Sequence, residues 1–160
     1  MRSDKMTTLW ERTKKFYEED QWPLMEREDL GILRSNFEGK NGMWPCVVRV
    51  LEEQCFVLFY STASMKVPEG KHYAAMEFLT RANYGLYIGN FELDLSDGEV
   101  RYKTSVDVEG TPEIGALLKQ ITYANVTTMD RYLPGLMAVC YGNVSPEDAI
   151  AMVEQRKQDA

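Results

Sequence analysis

A single histidine, His72, is the only imidazole in 160 residues. Metal centres and nucleophile relays usually rest on a positioned imidazole with partners. His72 stands between Lys71 and Tyr73 at an expected helix start, which places it near the surface. Cysteine is scarce as well. Cys46, Cys55 and Cys140 are odd in number, and their spacing fits no zinc or C-x-x-C pattern. Each sits among apolar neighbours, as in PCVV, QCFVLF and AVCYG, the setting of buried, reduced thiols in a cytosolic protein. There is no G-x-S-x-G elbow. The run GLYIG, Gly85 to Gly89, continues into Asn90-Phe91 and lacks the lysine of a phosphate loop. These absences leave no catalytic, cofactor-binding or metal-ligating residue to assign. The expectation is a non-enzyme without cofactor or metal.

No apolar run reaches the ~20 residues a membrane helix needs, and MRSDKMTTLW lacks the basic-then-apolar layout of a signal peptide. The expected location is the cytoplasm. Lys and Arg form no cluster along the sequence, and the net charge is −7. An acidic chain repels phosphate backbones and anionic lipid heads, so neither nucleic acid nor membrane is an expected partner.

What is present suits one soluble domain over residues 1–160, with 44% hydrophobic and 27% charged residues. A chain of this length buries roughly 70% of its unfolded surface around one core. Leu9-Trp10, Thr13 and Phe16-Tyr17 recur at helical spacing, which predicts an amphipathic helix over about Asp4 to Asp20, within an N-terminal segment 1–22 that Pro23 closes. LGILRSNFEG, WPCVVRVLEE and CFVLFYST read as three strands of an antiparallel meander. The second and third are apolar on both faces. Cys46, Val48 and Val50 oppose Val47 and Leu51, with Arg49 between the latter two. Cover on both faces is therefore expected, with helices on one and a second subunit as a natural cover for the other.

Ala75, Phe78, Leu79 and Ala82 trace a second helix, and Gly85 supplies a left-handed cap after it. Arg81 to Ser105 then forms a hairpin. With Asp97-Gly98 as a two-residue turn, Glu92 faces Lys103, Asp94 faces Arg101, Leu93 faces Tyr102 and Leu95 faces Val100. These pairs explain the charges as register-setting contacts on a solvent face rather than a carboxylate site.

Thr111-Pro112-Glu113 predicts a capped helix start, and a partly polar stripe runs from Ile114 to Met137, with Pro134-Gly135 expected to kink or break it. Ser145-Pro146 opens a last helix, and the polar tail 155–160 is expected to fray. The order α-βββ-α-ββ-α-α describes an α+β fold.

VPEGK, FLTRANYGLYIGNFELDLSDGEVRYKTSVDVEG, TMDRYLPGLMAVCYG and SPEDAIAMVE resemble the YbjN domain family, over about Leu30 to Glu154. The family is described as bacterial sensory transduction regulators. The resemblance implies a type III secretion chaperone-like fold, with helices packed on a five-stranded antiparallel sheet. Such chaperones are small, acidic, usually dimeric, and bind extended segments of partner proteins. It implies no catalytic residues.

Two functions follow as expectations. The first is a non-enzymatic homodimer that binds a protein partner as a regulator or chaperone-like adaptor; Trp22, Trp44, Tyr84 and Tyr87 are its aromatic contact candidates, each equally suited to the core. The second is a small-ligand sensor in bacterial signal transduction, with Asn83, Asn90 and Tyr132 as its polar groups. Asp130-Arg131-Tyr132 is a further candidate, expected to serve structure or a dimer contact ahead of a ligand. Helix and sheet both offer apolar residues for a dimer surface.

Overall fold

The computed structural model describes residues 7–154. Four helices, α1 (Leu9–Glu19), α2 (His72–Asn83), α3 (Gly115–Tyr141) and α4 (Pro146–Glu154), pack with six strands. The strands are β1 (Met25–Arg27), β2 (Ile32–Glu38), β3 (Met43–Leu51), β4 (Phe56–Lys66), β5 (Asn90–Leu93) and β6 (Glu99–Asp107). They form one antiparallel sheet of spatial order β1-β2-β3-β4-β6-β5. The fold is α+β, as expected, but the sheet has six strands rather than five. The additional strand is β1, three exposed residues paired with the start of β2. So short and wholly exposed a segment carries no alternation to read.

Burial alternates strictly along the long strands. Trp44, Cys46, Val48 and Val50 of β3, Val57, Phe59, Ser61 and Ala63 of β4, and Val100, Tyr102 and Thr104 of β6 are buried under the helices. Their neighbours in sequence point to the opposite face, where no helix of the described residues packs. The expected double cover is thus half present: the chain's own helices close one face and leave the other open. The apolar residues of that second face, Ile32, Val47, Leu51, Phe56 and Leu58, are half-buried by one another and by the charged side chains between them.

The helix ends are built by local chemistry. Thr8 and Glu11 form a reciprocal capping box on α1. The Glu52 carboxylate, from the β3–β4 turn, accepts from the amides of Leu9 at 2.7 Å and Trp10 at 2.9 Å. It thereby places a negative charge on the helix N-terminus and fastens α1 to the sheet. Ser145 caps α4 through the Asp148 amide at 3.1 Å. The part of the expected first helix before Thr7, and the tail 155–160, lie outside the described residues.

Three local expectations are corrected. The helix foreseen at Thr111 begins instead at Gly115. The carbonyls of Thr111 and Pro112 turn toward the Arg12 guanidinium, at 2.9 and 3.1 Å, which holds this segment against α1 and outside the helix. Pro134 does not break α3, which runs unbroken for 27 residues. Buried Leu133, Gly135 and Leu136 pack there against the rest of the core, and that burial outweighs the lost amide bond.

The hairpin register also differs. Glu92 faces Arg101, Phe91 faces Tyr102 and Leu93 faces Val100. The connection is a four-residue loop, Leu95 to Gly98. The Asp94 amide donates to the Glu99 carbonyl, and the Asp94 carboxylate accepts from the Ser96 amide and hydroxyl. The Asp97 carboxylate accepts from the Glu99 amide and pairs with Lys66 at 2.8 Å. These side-chain bonds favour the wider turn. The displacement is two residues, an even number, so every side chain keeps its predicted face. Leu95, expected opposite Val100, is exposed in the loop.

The core is tied across its layers by polar groups. The Asn125 amide of α3 donates to the Phe59 carbonyl at 2.9 Å, the Tyr102 carbonyl at 3.0 Å and the Thr104 hydroxyl at 3.2 Å. Tyr17 of α1 meets Thr122 of α3 at 2.6 Å, fully buried.

Candidate binding surface

Of the residues singled out from sequence, Asn83, Asn90 and Tyr132 gather around Phe91, whose ring lies 5.6 Å from that of Tyr132, and the others lie elsewhere. Asn83 bonds both backbone polar groups of Phe91, its Oδ1 accepting at 2.7 Å and its Nδ2 donating at 3.2 Å. It joins the end of α2 to β5. Asn90 donates to the same Phe91 carbonyl. Tyr132 is buried, with its hydroxyl donating to Glu154 at 2.9 Å. Burial pushes that hydroxyl up to about 12, and the bond to the Glu154 carboxylate adds to the rise. Each of these three groups is hydrogen-bonded to a neighbour within the fold.

Asp130 and Arg131 diverge. The Asp130 carboxylate accepts from the amides of Lys40 and Asn41, at 3.1 and 2.8 Å, and so caps the β2–β3 turn. Gly39 lies so close to that carboxylate that an added Cβ would stand 2.3 Å from it. Arg131 lies over the Tyr132 ring at 5.0 Å and donates to the Val153 carbonyl.

The aromatic candidates split. Trp44 is only 1% exposed, and its indole donates to Ser61 at 3.0 Å, so as a surface contact it is corrected to a core residue. Trp22 is half-buried among Tyr17, Phe37 and Phe59 and donates to Asp20. Tyr84 and Tyr87, in the loop after α2, are fully exposed. Tyr73 and Met76 are exposed along α2 itself.

Two of the three thiols, Cys46 and Cys140, are buried. Cys46 is buried, and that burial pushes it up to about 12; its thiol donates to the Trp44 carbonyl and lies against the Ser61 hydroxyl. Burial raises Cys140 as well. No group of three or more potential metal ligands gathers among the described residues. No described helix is long and apolar enough to cross a membrane.

The open sheet face is the second apolar face that the strand pattern marked out, and what sequence reasoning missed is the charge on it. Two rows cross its strands. One runs Ile32, Arg49, Leu58, Ser105; the other runs Arg34, Val47, Tyr60, Lys103, Asn90. Next to them the Glu92 carboxylate binds the Arg101 guanidinium and, at 2.6 Å, the Lys103 ammonium. Burial alone would raise the Glu92 carboxyl, but the bonds from Lys103 and Arg101 outweigh it and hold the group below its usual range. Arg101 also lies 4.4 Å from the Tyr60 ring centre. An open groove of about 690 Å³ runs beside these rows, between Leu24 and Met25 on one side and Arg34, Val47 and Thr62 on the other. The available signal was Arg49 between Val47 and Leu51. Joining it to Arg34 and Lys103 requires the strand order.

Comparison with known proteins places this architecture. The sequence model of the YbjN family, "Putative bacterial sensory transduction regulator", matches residues 11–136. The chain therefore belongs to the YbjN family. Among solved structures it is similar to YbjN from E. coli, "a putative transcription regulator", with a TM-score of 0.61 and 11% identity, over 79% of this chain and 95% of that one. It is also similar to a chain of the ExsC–ExsE complex, with a TM-score of 0.52 and 12% identity, over 76% of this chain and 90% of that one. At these identities the likeness is one of fold. No curated protein matches the sequence.

Proposed function

We propose that this chain is a cytoplasmic, non-enzymatic regulator or chaperone-like adaptor that binds a protein partner and acts as a homodimer. The observation that carries this reading is the open sheet face. A six-stranded sheet with Ile32, Val47, Leu51, Phe56 and Leu58 on its unpacked side has apolar area left to bury. The similarity in fold to a chain solved as the ExsC–ExsE complex supports a protein partner. The polar residues that could have formed a ligand site are each engaged inside the fold, which favours binding over catalysis. For the dimer, Tyr73 and Met76 on the outer side of α2 offer a second apolar surface, distinct from the sheet.

The test is affinity capture from the cytosol of the source organism, read by mass spectrometry, with the solution mass of the purified chain measured alongside. Enrichment of one protein over an unrelated acidic bait, together with a mass of two chains, is the expected result. A monomer that enriches nothing overturns the reading.

A further inference from the structure

The open sheet face carries the opposite charge from the molecule as a whole. The chain is at −7, yet Arg34, Arg49 and Lys103 stand on its two central rows and Arg101 on the row beside them, where the edge-strand Glu92 faces it. Glu92 is shared between Arg101 and Lys103. Arg34 and Arg49 have no ion pair among the described residues and are exposed. The other carboxylates of this face, Glu38, Glu99 and Asp107, stand at the strand ends, Glu99 opposite Lys66 and lining the groove beside the rows. The centre is therefore basic inside an acidic rim.

The cations alternate with apolar groups. Arg49 lies between Ile32 and Leu58 on neighbouring strands, and Val47 lies between Arg34 and Tyr60. From β2 to β6 the pattern spans three strand spacings, about 14 Å, and the groove along Leu24, Met25 and Val47 continues it toward the edge.

We infer that this face takes an extended acidic segment of a partner protein, in which carboxylates alternate with aliphatic or aromatic side chains. The inference rests on the partner-binding reading above and specifies its occupant. Charge complementarity selects the segment: carboxylates meet Arg34 and Arg49, while the apolar side chains cover Ile32, Val47 and Leu58. A second copy of the same face would bring two clusters of arginine and lysine together with only Glu92 in each to offset them. A nucleic acid would pair with the arginines but leave the apolar positions uncovered and meet the repulsion of the acidic rim.

The test is fluorescence anisotropy with a labelled peptide of about twelve residues, long enough to cross the face, in which glutamate alternates with leucine and phenylalanine. The same peptide with lysine for glutamate and a single-stranded oligonucleotide are the competing probes. Saturable binding of the acidic peptide is expected. It should weaken about tenfold or more in the Arg34→Glu/Arg49→Glu double variant, and again on raising salt from about 0.05 to 0.3 M. Arg81→Glu, on α2, should leave it unchanged.

Absence of binding, equal binding by the double variant, or stronger arginine-dependent binding of the oligonucleotide would overturn the inference. Partner capture separates this failure from failure of the broader reading. If the double variant still captures the wild-type partner, the adaptor function stands and the acidic occupant falls. If wild type captures none, the adaptor function falls.

Discussion

Asn125 is the buried polar group whose removal tests the packing of α3 on the sheet. Its amide nitrogen serves two strands at once, through the Phe59 carbonyl of β4 and the Tyr102 carbonyl and Thr104 hydroxyl of β6. Asn125→Ala removes those donors and leaves the acceptors in a dry core. Net loss per buried bond is about 0.5–1.5 kcal/mol, and a stranded buried acceptor adds about 1–3 kcal/mol. The Asn125 oxygen has no hydrogen-bond partner among the described residues, so its deletion returns part of the cost. The expected net loss is about 3 kcal/mol, or about 6–12 °C in Tm for a chain of this size.

Asn125→Asp sharpens the test. The carboxylate would face two carbonyls in the core, so its folded-state pKa would lie above the unfolded value. Such a group favours the fold below its unfolded pKa and loses that favour as pH rises through the folded pKa. The variant should therefore lag wild type more at about pH 7.5 than at about pH 4.5. Urea unfolding followed by tryptophan fluorescence at both pH values gives the comparison. An Asn125→Ala loss below about 1 kcal/mol, or an Asn125→Asp deficit independent of pH, would refute the reasoning.

Other predictions rest on separate features. Phe91→Ala, at a buried ring stacked edge-on to Tyr102, should cost about 3 kcal/mol. Glu92→Lys, on the open face, should cost less than about 1.5 kcal/mol; equal losses in denaturant titrations would show the face assignment to be wrong. Gly135→Ala would place a Cβ 2.7 Å from the Phe78 ring and 3.0 Å from Val153. A melting scan should show a loss of about 1–3 kcal/mol, and an unchanged Tm would mean that α2 and α4 yield freely there. In a maleimide time course at neutral pH, half-buried Cys55 should be labelled before buried Cys46, whose thiol is held up to about 12. Labelling of Cys46 at the rate of Cys55 would contradict its burial.

The sequence by itself determined what depends on short-range pattern. The two-residue period of WPCVVRVLEE and CFVLFYST assigned each side chain to a face, and those assignments hold even in the hairpin, whose pairing is displaced by two residues. Ala75, Phe78, Leu79 and Ala82 defined the buried side of α2 because helical spacing is local too. The long motifs around the hairpin and Pro134 carried the family. The tertiary structure decided what depends on partners distant in sequence. Arg12 moved the start of α3, and Asp130 became a cap for a turn some ninety residues before it. Trp44 and Tyr84 look alike as aromatic residues beside loops, yet one is core and the other is surface. The basic rows of the open face join Arg34, Arg49 and Lys103 from three strands. Only the order in which those strands pair brings such charges together, and strand order is set by long-range burial rather than by the local pattern of any one segment.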